Sequence, residues 1–212
     1  MVIGAGPLWR AVFLPEILAR LHRRSPDLLV ELRNAAFDAA HQDLLEGRCD
    51  VVMGGIQRFD LSSTRLVVRH FTTVHDRVVA REDHPIFAKA GRNGEIEPER
   101  LLDFPWLVYM ADPAYEMETV HATVERIGAA PPVQLKCESL IAAIRLLQTG
   151  DYLCILPDAA LANTSMPRIV PLPVGLGRRQ VPTGAIFREE NSDWPPLTHL
   201  LELCASGAAD GP

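Results

Sequence analysis

One order of elements is written twice in this chain, and that repetition limits its possible folds more than any single motif. A short apolar strand, Val2 to Gly4, turns at Gly6-Pro7 into a helix whose Leu14, Ile17, Leu18 and Leu21 share one face. Pro15 is tolerated there because it falls in a first turn. Ser25-Pro26 stops the helix, and a strand follows from Leu28 to Arg33. Next come a helix capped near Asp38 and ended by Gly47, and a buried strand from Asp50 to Gly54. From Trp106 the order returns, with a strand to Met110, a loop at Ala111-Asp112-Pro113, and a helix carrying Met117, Val120, Val124 and Ile127 before Gly128. Strand Val133 to Cys137, a helix capped by Ser139 with Leu140, Ile144 and Leu147 on one face, a stop at Gly150, and strand Tyr152 to Leu156 complete it.

Strands alternating with helices predict parallel sheets with helices on their faces, and ligands beyond the carboxyl ends of the strands. Two such units, each too small to stand well alone, predict an α/β protein of two Rossmann-like lobes with a ligand cleft between them. Extended segments from Arg65 to Arg81, long enough for two strands, and from Ile169 to Phe187 supply two crossings. The first lobe is then 1–72 plus 180–212 and the second 73–179. A last helix, Pro195 to Cys204, turns Leu197, Leu200 and Leu201 back onto the first lobe, and the SGAADGP tail reads as frayed.

Several function classes fall away on composition. A net charge of −6 does not suit a chain that neutralises phosphates along a duplex. No apolar run approaches the roughly 20 residues that cross a bilayer, and no export signal opens the sequence, so a cytoplasmic protein with no membrane contact is expected. Cys49, Cys137, Cys154 and Cys204 lie far apart, which favours reduced core thiols over a zinc site or disulfides. Only Gly4 and Gly6 keep the spacing of a dinucleotide phosphate loop, and Trp9 holds the third glycine's place. The histidines form no ligand pair and no catalytic motif occurs, so neither an enzyme nor a cofactor or metal site is expected. His70 and His75 flank the first crossing, where a place beside a ligand and an ordinary packed role are both open.

Gly6, Pro7, Leu8 and Trp9 follow the first strand, Asn34 to Phe37 the second, and Gly54, Gly55 and Ile56 the third. In the other lobe the strand ends deliver Ala111 to Pro113, Glu138-Ser139 and Pro157, while Thr72 and Thr73 lie at the first crossing. Helix N-termini directed at one cleft favour an anion. The expected effector-binding residues are Gly6, Pro7, Leu8, Trp9, Phe37, Gly55, Thr72, Ala111 and Ser139, with a carboxylate near the N–H groups and an apolar part against Leu8, Trp9 and Phe37.

The segments IGAGPLW, FLPEILARLHRRSPDLLVEL, LLEGRCDVVMGG, VVAREDHP and LLQTGDYLCILP, in that order, resemble the effector-binding domain of LysR-type transcriptional regulators over nearly the whole chain. The resemblance implies a periplasmic-binding-protein-like fold of type II and a small-molecule effector, often an organic acid. It also implies pairing into a homodimer or tetramer, and DNA binding through an N-terminal winged helix-turn-helix. The sequence begins at the first sensor strand, which reads as a fragment of such a regulator. A solute-binding protein of a transport system shares the same lobes and stands as the alternative.

Overall fold

The structure, a computed structural model, describes residues 1–35, 37–56, 65–109, 123–162, 164–176 and 179–209. The side chains of Phe37 and Asp38 and of 208–209 lie outside that description, as do Met110, Ala111, Met117 and Val120. The chain forms two compact units, Met1–Val74 with Val181–Pro212, and His75–Gln180.

In the first unit β1 (Val2–Ala5) pairs in parallel with β2 (Glu31–Asn34) on one side and β3 (Val51–Gly55) on the other. The connections are α1 (Leu14–Arg24), entered through a π-helical turn at Trp9–Phe13, and α2 (Phe37–Leu45). Ile3, Val51, Met53, Leu14, Ile17 and Leu21 meet in one core, which Leu197, Leu200 and Leu203 of the C-terminal helix complete. That helix spans Pro195–Ala209, so the first residues of the tail expected to fray are helical. The sheet is mixed and not purely parallel. A strand at Gln180–Arg188 lies antiparallel to β3, and its far side neighbours the beginning of β4 (Leu66–Arg81). Gly184 makes that neighbour possible, since a Cβ there would collide with the Arg69 carbonyl oxygen.

The segment expected to hold two extended pieces is thus one strand of 16 residues. In the second unit its later part pairs antiparallel with β7 (Cys154–Pro157) and, on the other edge, with β8 (Ile169–Pro171). Here β5 (Trp106–Tyr109) and β6 (Val133–Cys137) run parallel, and β5 also bonds to Leu153 just before β7. The helix after β6, α3 (Leu140–Thr149), buries Leu140, Ala143 and Leu147. Residues 123–127 are helical up to Gly128, whose φ of +79° ends the turn. Ile127 packs on the core, whereas Val124 is 42% exposed and does not continue the expected buried stripe.

Candidate functional site

Because β1, β2 and β3 are parallel, their carboxyl ends share one edge of the first unit. Gly6 follows β1 and is fixed there by its N–H, which donates to the Met53 carbonyl at 2.9 Å. The Gly6 carbonyl accepts from the Arg10 N–H at 3.0 Å, so the helix begins at once with Pro7 in its first position. A glycine at that boundary has no side chain with which to cap the helix. Pro7 has no N–H to satisfy, which leaves the Leu8 and Trp9 N–H groups as the helix's unmatched donors. They form a small positive pole at the strand ends, with Pro7 and Leu8 half-buried around it.

Arg10 adds a full charge beside this pole. Its guanidinium donates to Asn34 Oδ1 at 3.1 Å, which places it at the ends of β1 and β2, and its Nε is buried with no partner. On the other side of β1, Gly55 ends β3 opposite Thr183, whose buried hydroxyl donates to the Thr72 carbonyl at 3.3 Å. Gly6, Pro7, Leu8, Gly55 and Thr72 therefore all belong to the first unit. Phe37 opens α2, its side chain outside the described residues.

Trp9 departs from the expectation that its ring would face a ligand. The residue is 3% exposed, with its ring 4.9 Å from that of Phe13 and 6.0 Å from that of Phe71. Trp9, Phe13, Ile17 and Leu21 recur every four residues, which makes the indole the first member of the buried stripe. The π-helical turn, closed by the Leu14 N–H on the Trp9 carbonyl, lies within that stripe. Its backbone N–H points along the helix axis toward the strand ends whatever the ring does.

The second unit repeats the layout with different chemistry. Ser139 is exposed at the carboxyl end of β6, and its Oγ accepts from the Ala142 N–H at 3.3 Å, so this helix carries its own cap. Ala111 lies outside the described residues. At the end of β7, Asp158 Oδ1 accepts from the backbone N–H groups of His75 and Ala159 at 3.0 and 2.9 Å. Its other oxygen faces His75 Nδ1 at 3.3 Å, and both side chains remain 37% exposed.

Nothing among the described residues assembles a reactive centre. Burial pushes the Cys154 and Cys204 thiols up to about 12 and raises that of Cys49, which keeps these sulfurs protonated and unreactive. No group of three metal-ligating side chains occurs among the described residues, and none of their helices is long and apolar enough to cross a membrane. Sequence reasoning missed Arg10, which an arginine one turn beyond a glycine-turn could have signalled. It named His75 without its partner, because Asp158 is 83 residues away.

The sequence matches the family model of the LysR substrate binding domain over residues 1–209. No curated protein matches it. HinK, a LysR family transcriptional regulator from Pseudomonas aeruginosa, has a similar fold with a TM-score of 0.74 at 14% identity, over 98% of this chain and 70% of that one. The effector binding domain of a BenM variant gives 0.72 at 18% identity, over 99% and 94% of the two chains. The regulatory domain of MetR, a LysR family regulator from N. meningitidis, gives 0.71 at 17% identity, over 100% and 95%. With the family model spanning almost its full length, the chain belongs to the LysR substrate-binding domain family, the effector-sensing part of LysR-type transcriptional regulators.

Proposed function

We propose that the chain senses a small organic acid, held by its carboxylate at the start of the first helix. The Leu8 and Trp9 N–H groups and the Arg10 guanidinium meet the charge, while Gly6, Pro7, Leu8, Gly55 and Thr72 shape the surface around it. Phe37, Ala111 and Ser139 remain proposed contacts, and the Trp9 ring serves as support from below. The observation that carries this reading is the uncapped helix start with a charged arginine, its Nε buried and unpartnered, set beside it.

A panel of carboxylic acids in a thermal-shift assay tests it. A ligand that binds only the folded form stabilises by about 2.7 kcal/mol at one hundred times Kd, so a true effector gives a clear rise in Tm. Arg10→Gln removes a charged hydrogen bond worth roughly 1.5–3 kcal/mol and weakens binding by about 10- to 100-fold with the apo Tm little changed. Hits that are sugars or cations, with no acid among them, would sink the anionic reading.

On the same reading the domain works in the cytoplasm, self-associates as a homodimer or tetramer, and reaches DNA only through a separate winged helix-turn-helix. The net charge of −6 supports the last point. A strictly monomeric species in sedimentation, or a sequence-dependent DNA shift by this chain alone, would count against it.

A further inference from the structure

We infer that the free edge of β2 pairs antiparallel with β2 of a second copy of this chain, Glu31 of each facing Arg33 of the other across a two-fold axis through Leu32. The inference deepens the self-association proposed above by naming the surface that carries it. β2 stands at one end of its sheet's strand order, and all four of its side chains are exposed. Leu32 is 39% exposed, and Leu29, just before the strand, 83%. On the inner side the Met1 amine donates to the Leu29 carbonyl at 2.8 Å, the Glu31 N–H to the Met1 carbonyl at 2.9 Å, and the Ala35 N–H to the Ala5 carbonyl at 3.2 Å. Backbone groups alternate in direction along an extended chain, so those of Val30, Leu32 and Asn34 are turned away from β1. A row of outward N–H and C=O groups with an exposed leucine in its middle is a template for another strand.

Charge decides among the symmetric registers. An antiparallel pair exchanges both of its bonds only between residues whose backbone groups face outward, so Val30, Leu32 and Asn34 must meet one another. An axis through Glu31 sets that glutamate opposite its own copy, and an axis through Arg33 sets arginine opposite arginine. Like charges directly opposite are destabilising. An axis through Leu32 sets leucine against leucine and Glu31 against Arg33 twice, while Val30 and Asn34 close the ladder at both ends. The charged residues then occupy the positions without hydrogen bonds, where facing side chains stand closest. Within one copy they already share a face, since Arg33 Nε and Nη2 donate to the two Glu31 carboxylate oxygens at 2.7 and 2.9 Å. The axis gathers two carboxylates and two guanidiniums into one alternating group. An edge guarded by one sign of charge repels its copy, whereas this edge complements itself.

Sedimentation equilibrium of the whole chain at low salt tests this pairing. The wild type should show a reversible monomer–dimer equilibrium that weakens as salt is added. Glu31→Arg and Arg33→Glu should each raise the dimer Kd roughly 10- to 30-fold, because both facing pairs turn repulsive. An equimolar mixture of the two variants should regain the wild-type affinity, since the arginines of one edge then face the glutamates of the other. Leu32→Pro removes an N–H that is turned away from β1, and it should abolish the dimer with little change in Tm. A wild type that stays monomeric throughout a concentration series overturns this inference and self-association together. A dimer that keeps its Kd in both charge variants, or a mixture no tighter than its components, overturns the edge pairing and leaves self-association standing. A folded Leu32→Pro that still dimerises does the same, and if that variant fails to fold the mixture of charge variants decides.

Discussion

The two units begin comparable helices at the ends of comparable strands and finish them differently. In the second unit Ser139 satisfies a first-turn N–H of α3 from its own hydroxyl, and that start is closed. In the first unit Gly6 has nothing to offer, so the positive pole stays open and the helix is secured from beneath by Trp9 against Phe13 and Phe71. A cap and a ligand compete for the same donors. A helix can be stabilised by its own serine or kept ready for an outside anion, and the chain uses one solution in each half.

The largest test of this contrast removes the anchor. Trp9→Ala should cost about 3–5 kcal/mol as a buried aromatic deletion, seen as a lowered urea midpoint without any ligand. A stable variant that merely loses acid binding would return the ring to the ligand and undo the contrast. A smaller loss, confined to acid, should come from the second unit. His84 is 2% exposed, accepts the Ile86 N–H on Nδ1, and stands edge-on to Phe104 at 4.8 Å. Burial is the chief reason its imidazole is held below the ordinary 6.5. The unfolded chain therefore takes up this proton more readily than the folded one. The contribution is full above 6.5 and is lost as pH falls toward the lower folded value. A urea midpoint that falls from neutral pH to about 5.5 in the wild type should fall less in His84→Gln, and equal slopes would refute the assignment.

The smallest effects come from exchanging the two helix starts. Ser139→Ala should destabilise by about 1 kcal/mol as an ordinary lost cap. Gly6→Ser should change stability by only a few tenths, roughly the difference between glycine and serine at a cap. A Cβ at Gly6 meets nothing closer than the Met53 carbonyl at 3.9 Å, so the serine fits. Acid binding should nevertheless weaken, because the new hydroxyl occupies the donors. Undiminished affinity in Gly6→Ser would separate the ligand from the helix start.

The alternation of elements was readable because each helix stop is a glycine or proline and each buried strand a short apolar run. Gly47 and Gly128 have positive φ at two of these stops, and Val133–Cys137 falls where it was read. What escaped depended on partners distant in sequence. A β-branched run from Arg65 to Arg81 does not reveal whether it turns back or continues, since pairing with different strands along its length decides that. The direction of the Trp9 ring was legible in its four-residue spacing to Phe13, yet its place beside the glycine turn pulled the reading toward a ligand. Of the proposed site, the backbone part was legible in Gly6-Pro7, whereas the Arg10–Asn34 pair needed the fold to bring its two residues together.

The first unit takes its last strand and its closing helix from Val181 onward, while the second unit is one unbroken stretch. On a ribosome adding about 5–20 residues per second, the strands that hold Gly6 and Gly55 emerge early and then wait on the order of ten seconds for their antiparallel neighbour and the leucines that seal their core. The half of the domain made first is thus the half finished last, and a premature stop near the C-terminus falls on the N-terminal unit.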